Sequence, residues 1–284
     1  MHIKAFLNFC FSFYLTFCFD KGKKYRCGFD SINFIPITIN NTLPTNNKHL
    51  NSYKVTYTYF KSFNIYLDLL QFDEEIIKYN LESKKTLFTN ALNKAVNTLT
   101  KLLRVKEQKY DLITTDEQII SLGIYKWNKD KIGNKVNINK KGLKSFGIDL
   151  YIFVKFGNNT EMGEEVLASA FVGMIDPFGQ PIVGVINLNK DVDYSKEKSP
   201  EFLKSIILHE MTHVLGFNIA YFVGIYEKYF YTKNESGIYR GYLKSPELLR
   251  RAKKYYNCNS IEGIPLEEIG GDGTFVLIGK KEYY

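Results

Sequence analysis

Hydrophobic and polar positions divide the chain into segments of strand and helix character. Lys54–Phe60 and Asn64–Leu69 alternate or are rich in β-forming residues, which predicts two strands. Apolar residues three or four positions apart then predict one long helix within Phe72–Lys106, packed across a sheet. Largely apolar runs at Ile148–Phe156 and Pro181–Asn189 predict two further strands.

Two later helices are marked by local start and stop signals. Ser199-Pro200-Glu201 combines an N-cap residue, a proline at the first helical position and an acid in the first turn, and Gly216 can form the C-cap. Ser245-Pro246-Glu247 repeats the start signal and opens a helix that is expected to run to about Tyr256. Strands, a helix, further strands and a second helix predict an α+β body rather than a repeat or a helix bundle.

The N-terminus carries an apolar run from Ala5 to Phe19, with Lys4 before it and Asp20 after it. This run is short for a membrane span and of the right length for a secretory leader. A buried N-terminal strand and an uncleaved anchor are the alternatives. We expect a signal peptide over residues 1–19 and therefore a secreted, extracellular or membrane-associated protein.

Cysteine usage is compatible with an oxidising compartment. Removal of the leader leaves Cys27 and Cys258, which could pair, although sequence alone does not show whether they meet. Between the leader and the folded body, residues 20–52 are expected to form an N-terminal segment that contains a loop from Ile39 to Asn51.

Composition and charge narrow the class of partner. A hydrophobic share of 45% and an aromatic share of 15% favour a packed core over disorder. The formal net charge is +8, but the lysines are dispersed along the chain and no nucleic-acid-binding motif accompanies the short basic clusters. We therefore expect no nucleic-acid partner, because dispersed charge usually serves solubility.

The candidate metal-binding and catalytic residues are concentrated in the run His209-Glu210-Met211-Thr212-His213. Positions i and i+4 of a helix project from one face, so His209 and His213 can share a metal ion. Glu210 lies about 100° around the helix, where it can reach a water molecule without being a ligand. Zinc lowers the pKa of such a water to about 7, and the carboxylate can take its proton and later pass it to a leaving amine.

The alternative is that both histidines simply pack in a core. Only four histidines occur in 284 residues, so this spaced motif is expected by chance roughly 0.004 times. Its position inside a capped helix is the one that the chemistry requires. The sequence therefore favours His209 and His213 as zinc ligands and Glu210 as the catalytic acid and base.

The residues around this motif resemble the leishmanolysin family of zinc metallopeptidases. The resemblance covers Asp149–Thr274 and, more weakly, Tyr53–Lys106. It is carried by the helix from His209 to Phe217, by the strand segments before it and by the segments after it: Ala168–Ala170, Gln180–Asn189, Ser245–Leu249, Tyr256–Cys258, Glu262–Glu267 and Gly270–Thr274. It implies a zincin/metzincin-like catalytic body with a sheet, a long packed helix and an active-site helix.

The third zinc ligand is the open question. In the compact metzincin pattern a third histidine follows Gly216 after two residues, and that position holds Ile219. The resemblance implies instead an inserted segment and a histidine soon after Thr274, but no histidine follows His213. The methionine turn of metzincins is likewise not supplied by any of the four methionines. We expect a catalytic body that is truncated at the C-terminus, and a slip of reading frame near Phe275 is one hypothesis for it.

The expected organisation is a catalytic subdomain over residues 53–217, followed over residues 218–284 by the incomplete start of a second one. The first functional hypothesis is a zinc-dependent metalloendopeptidase that hydrolyses proteins or peptides, compatible with membrane-surface association. The alternative is a catalytically impaired secreted or surface relative with a binding or adhesion role. A third, a core fold unrelated to zinc, fits the motif poorly. The sequence does not fix the oligomeric state.

Overall fold

The computed structural model describes residues 37–38, 60–106, 114–129, 131, 148–162, 166–176, 179–192, 194, 200–217, 230–235, 238–265 and 274–275. The expected signal peptide, the loop at Ile39–Asn51 and most of the strand expected at Lys54–Phe60 lie outside these residues.

Eleven strands and six helices are found in the described part of the chain. In order they are β1 (Ile37–Thr38), β2 (Phe60–Ser62), β3 (Ile65–Asp68), α1 (Leu70–Lys78), α2 (Glu82–Leu102), β4 (Arg104–Lys106), α3 (Asp116–Ser121), β5 (Leu150–Gly157), α4 (Asn159–Met162), β6 (Ala168–Ile175), β7 (Pro181–Asn189), α5 (Pro200–Val214), β8 (Phe230–Glu235), β9 (Ile238–Leu243), α6 (Pro246–Tyr256), β10 (Ile264–Pro265) and β11 (Thr274–Phe275).

The principal sheet has five strands in the order β1-β6-β7-β5-β3. Strands β3, β5 and β7 are mutually parallel, β6 is antiparallel to β7, and β1 is parallel to β6. The described fold is therefore a mixed α/β arrangement, which is compatible with the expected helix-and-sheet body.

Both faces of this sheet are buried along its central strands β5 and β7. Along β5, Leu150, Ile152 and Val154 join the core beneath helices α1, α2 and α5. Tyr151 and Phe153 join a second core with residues of α3 and Trp127 on the other face. In a strand that is covered on both sides, no alternate set of residues faces water. Its sequence can therefore be apolar at consecutive positions.

The prediction of one long helix over Phe72–Lys106 is confirmed only for Glu82–Leu102, the 21 residues of α2. The segment forms two helices, α1 and α2, and ends in strand β4. The break lies at Asn80, whose φ of +55° is in the left-handed region that asparagine tolerates better than most residues. The apolar spacing continues across the break, which explains why periodicity alone does not reveal it.

Helix α1 also completes the hydrogen bonding of β5. Strand β3 pairs with β5 only as far as Phe153. Beyond that point the Glu75 carboxylate, which is 4% exposed, accepts a hydrogen bond from the backbone N–H of Phe156 at 2.7 Å. Gln71 donates to the same carboxylate at 2.9 Å and accepts from the backbone N–H of Tyr125. A buried side chain thus accepts the hydrogen bond that a longer β3 would have accepted.

Helix α3 lies in the polar region for which the sequence predicts no element. It begins with a capping box in which Thr115 Oγ1 accepts from the backbone N–H of Gln118 at 3.2 Å. The Gln118 side chain in turn accepts from the backbone N–H of Thr115 at 2.9 Å. Thr115-x-x-Gln118 is a recognisable start signal in the sequence, but it precedes only six helical residues.

The C-terminal elements follow their sequence signals closely. Strand β9 pairs with β8, β10 and β11 in a separate antiparallel sheet. In α6 the Ser245 hydroxyl accepts from the backbone N–H of Leu248, Pro246 is the first helical residue, and Asn257 ends the helix at a φ of +48°. The predicted helix start at Ser245-Pro246 and end near Tyr256 are confirmed.

Helix α5 packs against β6, β7 and α2. Its approach to β7 is close at Gly184, where an added Cβ atom would lie 2.1 Å from Val214 Cγ1. Non-bonded carbon atoms do not approach so closely. Any side chain at position 184 would therefore push α5 away from the sheet.

We predict that Gly184→Ala lowers the free energy of unfolding by about 1–3 kcal/mol, because the new methyl group overpacks the Val214 contact. Val214→Ala removes the two methyl groups that an alanine at 184 would meet. In that background Gly184→Ala should therefore cost under about 1 kcal/mol. Urea unfolding of the four proteins in this cycle measures the coupling, and additive effects of the two substitutions would contradict the packing argument.

Candidate metal site and catalytic helix

Helix α5 is held in place by its apolar face. Leu203, Ile207, Met211 and Val214 are buried in the core between α5, α2 and the sheet. Residues one helical turn apart fix the rotation of the helix, and this rotation places the motif residues at the boundary of the core. His213 and Glu210 are each 2% exposed, whereas His209 is partly exposed.

The two histidine rings converge at their Nε2 atoms. These nitrogens are 3.2 Å apart, the ring centroids are 4.9 Å apart, and the ring planes meet at 78°. Spacing of four residues on a helix predicts two imidazoles on one face, and the structure brings together the two predicted ligands. Their assignment as metal ligands stays a prediction.

The separation of the two nitrogens fits a zinc ion. Two nitrogens bound to one tetrahedral zinc at about 2.0–2.1 Å are about 3.3–3.4 Å apart. The observed 3.2 Å is close to that value. Among the residues that the structure describes, no group of three or more histidine, cysteine, aspartate or glutamate side chains forms a metal site. Among the described residues, two histidines at most are therefore placed to share a metal ion.

A backbone carbonyl orients His213. Its Nδ1 atom lies 2.9 Å from the carbonyl oxygen of Phe217. Because a carbonyl oxygen only accepts, Nδ1 must carry the proton, and in the neutral ring Nε2 then presents its lone pair toward His209. Metal-binding histidines are commonly oriented by a carbonyl in this way.

The C-cap of α5 is what brings that carbonyl to His213. Gly216 has a φ of +88°, its N–H donates to the carbonyl of His213 at 2.9 Å, and the N–H of Phe217 donates to the carbonyl of Thr212 at 3.0 Å. This pair of bonds is a Schellman motif, which requires a left-handed residue such as glycine. The turn reverses the chain, so that Phe217 lies beside the ring that precedes it by four residues.

Tyr194 is a buried residue that the sequence does not single out. Its hydroxyl donates to the carbonyl of Leu167, just before β6, and its ring packs edge-on against Phe88 of α2. Burial, and to a smaller extent the nearby Glu210 carboxylate, raise the pKa of the Tyr194 phenol. Through its hydrogen bond, Tyr194 joins the segment between β7 and α5 to the residue that precedes β6.

Comparison with known proteins places this chain in a family. The family model described as leishmanolysin matches residues 73–281, which is more than half of the chain. The chain belongs to the leishmanolysin family. This is a family of zinc-dependent metalloendopeptidases that act on proteins or peptides, and the predicted family resemblance is confirmed.

Curated relatives match the chain at low identity. A leishmanolysin of Leishmania amazonensis is 29% identical over 120 residues, which is 42% of this chain and 20% of that protein. A leishmanolysin homolog of Crithidia fasciculata is 30% identical over 128 residues, 43% of this chain and 18% of that protein. A leishmanolysin-like peptidase of Caenorhabditis briggsae is 22% identical over 182 residues, 51% of this chain and 28% of that protein. The matched regions thus span less than a third of these relatives.

Of the two cysteines expected to remain after removal of a leader, only Cys258 is among the described residues. Cys258 is partly exposed, and its Sγ atom lies 3.1 Å from Ser260 Oγ. Cys27 lies outside the described residues, so the pairing of the two cysteines stays a prediction.

We predict that Gly216→Ala lowers the free energy of unfolding by about 1–2 kcal/mol, because alanine is strained in the left-handed region. It should also weaken zinc binding by about tenfold or more, since it disturbs the carbonyl that orients His213. Gly216→Asn is the matched control, because asparagine tolerates the same backbone conformation. Urea unfolding and competition with a fluorescent zinc chelator measure the two effects. Equal zinc affinity in Gly216→Ala and the native chain would contradict the orienting role.

Proposed function

We propose that this chain is a zinc-dependent metalloendopeptidase with a metzincin-like catalytic body. The observation that supports the proposal most directly is the convergence of His209 and His213, whose Nε2 atoms are spaced for one metal ion. Family membership supplies the reaction class, and the helix supplies the residues.

The proposed roles follow from the positions of the side chains. His209 and His213 would hold zinc through Nε2, and the carbonyl of Phe217 keeps the second ring in the tautomer needed for this. Zinc, when bound, supplies a Lewis acid that polarises the scissile carbonyl and a water molecule. Glu210 accepts the proton of the attacking water and delivers it to the leaving amine.

A second candidate function is a binding or adhesion relative that keeps the helix but does not cleave peptides. The observation that favours it is the two-histidine site, because catalytic zinc centres use three protein ligands and an open position. Within the described residues no third ligand joins the pair. Zinc held by two imidazoles alone would be bound more weakly.

The proposed location is the secretory pathway, the cell exterior or a membrane surface. It rests on the apolar run Ala5–Phe19, which is typical of a secretory leader. Across the described ranges, no helix has the length and apolar character to cross a bilayer.

We predict that Glu210→Gln retains bound zinc but lowers the rate of casein cleavage by about 10²–10⁴-fold, because it removes the proton acceptor and leaves both imidazoles in place. The matched control is Glu201→Gln in the first turn of the same helix. Glu201 is exposed, and its hydrogen bonds from Lys94 and Lys204 hold its pKa at about 2. Its loss should change the rate less than about twofold, since exposed ion pairs contribute little.

Metal content by atomic emission and peptide release measured on the full chain distinguish the candidates. Cleavage that falls in Glu210→Gln alone supports the peptidase. One zinc per chain without any cleavage, in the native chain as in both variants, supports the binding relative. Cleavage equal in all three proteins would contradict the assigned role of Glu210.

A further inference from the structure

The turn after strand β5 carries a sequence motif that the proposed catalysis does not use. Asn158-Asn159-Thr160 has the form Asn-x-Ser/Thr with a middle residue other than proline, which is the acceptor motif for N-linked glycans. Strand β5 ends at Gly157, and the short helix α4 begins at Asn159. Asn158 is therefore the single residue between a buried strand and one turn of helix.

The acceptor motif lies at the surface, although the strand before it is buried. Gly157 is buried, Asn158 is partly exposed, and Thr160 and Glu161 are exposed. An attached glycan is bulky and hydrated, so a folded chain can carry it only where the acceptor side chain reaches water. The asparagine of this motif meets that requirement.

The side-chain amide of Asn158 is held through its oxygen. Asn158 Oδ1 accepts a hydrogen bond from the backbone N–H of Glu161 at 2.9 Å. Because a backbone N–H only donates, the amide atom that faces it must be the oxygen and not the nitrogen. Among the described residues, no group accepts a hydrogen bond from Asn158 Nδ2. The atom to which a glycan is attached is therefore not used by the contacts that shape the turn.

A glycan at this position leaves the hydrogen bonds of the turn in place. The amide oxygen of a glycosylated asparagine keeps its lone pairs, so it can still accept from Glu161. The backbone carbonyl of Asn158 accepts from the N–H of Met162 at 2.9 Å. The N–H of Asn159 donates to Asp191 at 2.9 Å. Neither of these bonds involves Nδ2.

Two other acceptor motifs occur in the sequence, and the structure favours Asn158 over both. Asn40-Asn41-Thr42 lies outside the described residues. In Asn234-Glu235-Ser236 the asparagine lies within strand β8 and is paired in register with Tyr239 of β9. Asn158 lies instead in a surface turn, which is the position typical of this motif.

We propose that Asn158 is a site of N-linked glycosylation. In the transfer, Asn158 Nδ2 forms a bond to the anomeric carbon of the first sugar of a lipid diphosphate-linked oligosaccharide. The bond from that carbon to the diphosphate oxygen breaks, its electron pair leaves with the lipid diphosphate, and Nδ2 loses one proton. Nothing is oxidised or reduced. The inference rests on the proposed secretory location, where such a donor is found, and not on the proposed peptidase activity.

Expression of the full chain in mammalian cells tests the proposal. The chain is produced once with its own N-terminus and once with a heterologous cleavable leader in place of residues 1–19. Peptide-N-glycosidase F removes N-linked glycans and converts the acceptor asparagine to aspartate, which marks the modified position in a peptide mass spectrum. We expect a glycosidase-sensitive shift in electrophoretic mobility and a mark at Asn158 in both products.

Four variants connect the shift to this motif. Asn158→Asp removes the acceptor nitrogen but keeps an oxygen for the N–H of Glu161, so it should fold and lose one glycan. Thr160→Ala should lose the same glycan although Asn158 is present, whereas Thr160→Ser keeps a hydroxyl and should retain it. The matched control, Asn234→Asp, should leave the mark at Asn158 unchanged.

A glycan at Asn158 that is lost in Thr160→Ala and kept in Thr160→Ser and Asn234→Asp supports the proposal. A glycan that appears only with the heterologous leader supports the site and contradicts the proposed location. Unmodified Asn158 in chain secreted with the heterologous leader overturns the proposal. A mobility shift that is the same in Asn158→Asp as in the native chain also overturns it, because the glycan would then be attached elsewhere.

Discussion

The contact between Gly184 of β7 and Val214 of α5 sets the distance between the motif helix and the sheet. An alanine at position 184 would meet Val214 Cγ1 at 2.1 Å, so the helix occupies its position only because the strand has no side chain there. Val214 directly follows His213. The same contact that seats the helix therefore fixes the depth of the buried histidine.

The C-cap of α5 is the second feature that positions His213. Gly216 turns the chain so that the carbonyl of Phe217 meets His213 Nδ1. One short segment thus ends the helix, satisfies its last carbonyls and selects the tautomer of a candidate ligand. Because these tasks share the same atoms, the ring is oriented by backbone geometry rather than by a side chain that could rotate away.

Much of this arrangement could be predicted from the sequence. Strand β7 and helix α6 have sharp local signals, an apolar run in one and Ser-Pro-Glu in the other, and their bounds agree with the structure. The spacing of His209 and His213 predicts their convergence because four residues make about one helical turn. The resemblance around them predicts the family.

Other features could not be predicted from the sequence, because they depend on residues far apart in the chain or on backbone atoms. The break at Asn80 interrupts a helical pattern that continues on both sides. Glu75 has the composition of a solvated helix position, yet it is buried because β3 ends early. The carbonyl of Phe217 has no side-chain signal at all, and the hydrogen bond from Tyr194 to the carbonyl of Leu167 joins residues that are 27 positions apart.

The hydrogen bond from the backbone N–H of Phe156 to Glu75 affects the tendency of the folded chain to aggregate. A sheet that ends in unpaired N–H groups invites a strand of another molecule to add to it, which is a common route to aggregation. At Phe156 that donor is already bound by the Glu75 carboxylate. A carboxylate accepts hydrogen bonds but cannot continue a ladder, so helix α1 closes this part of the sheet edge to further strands.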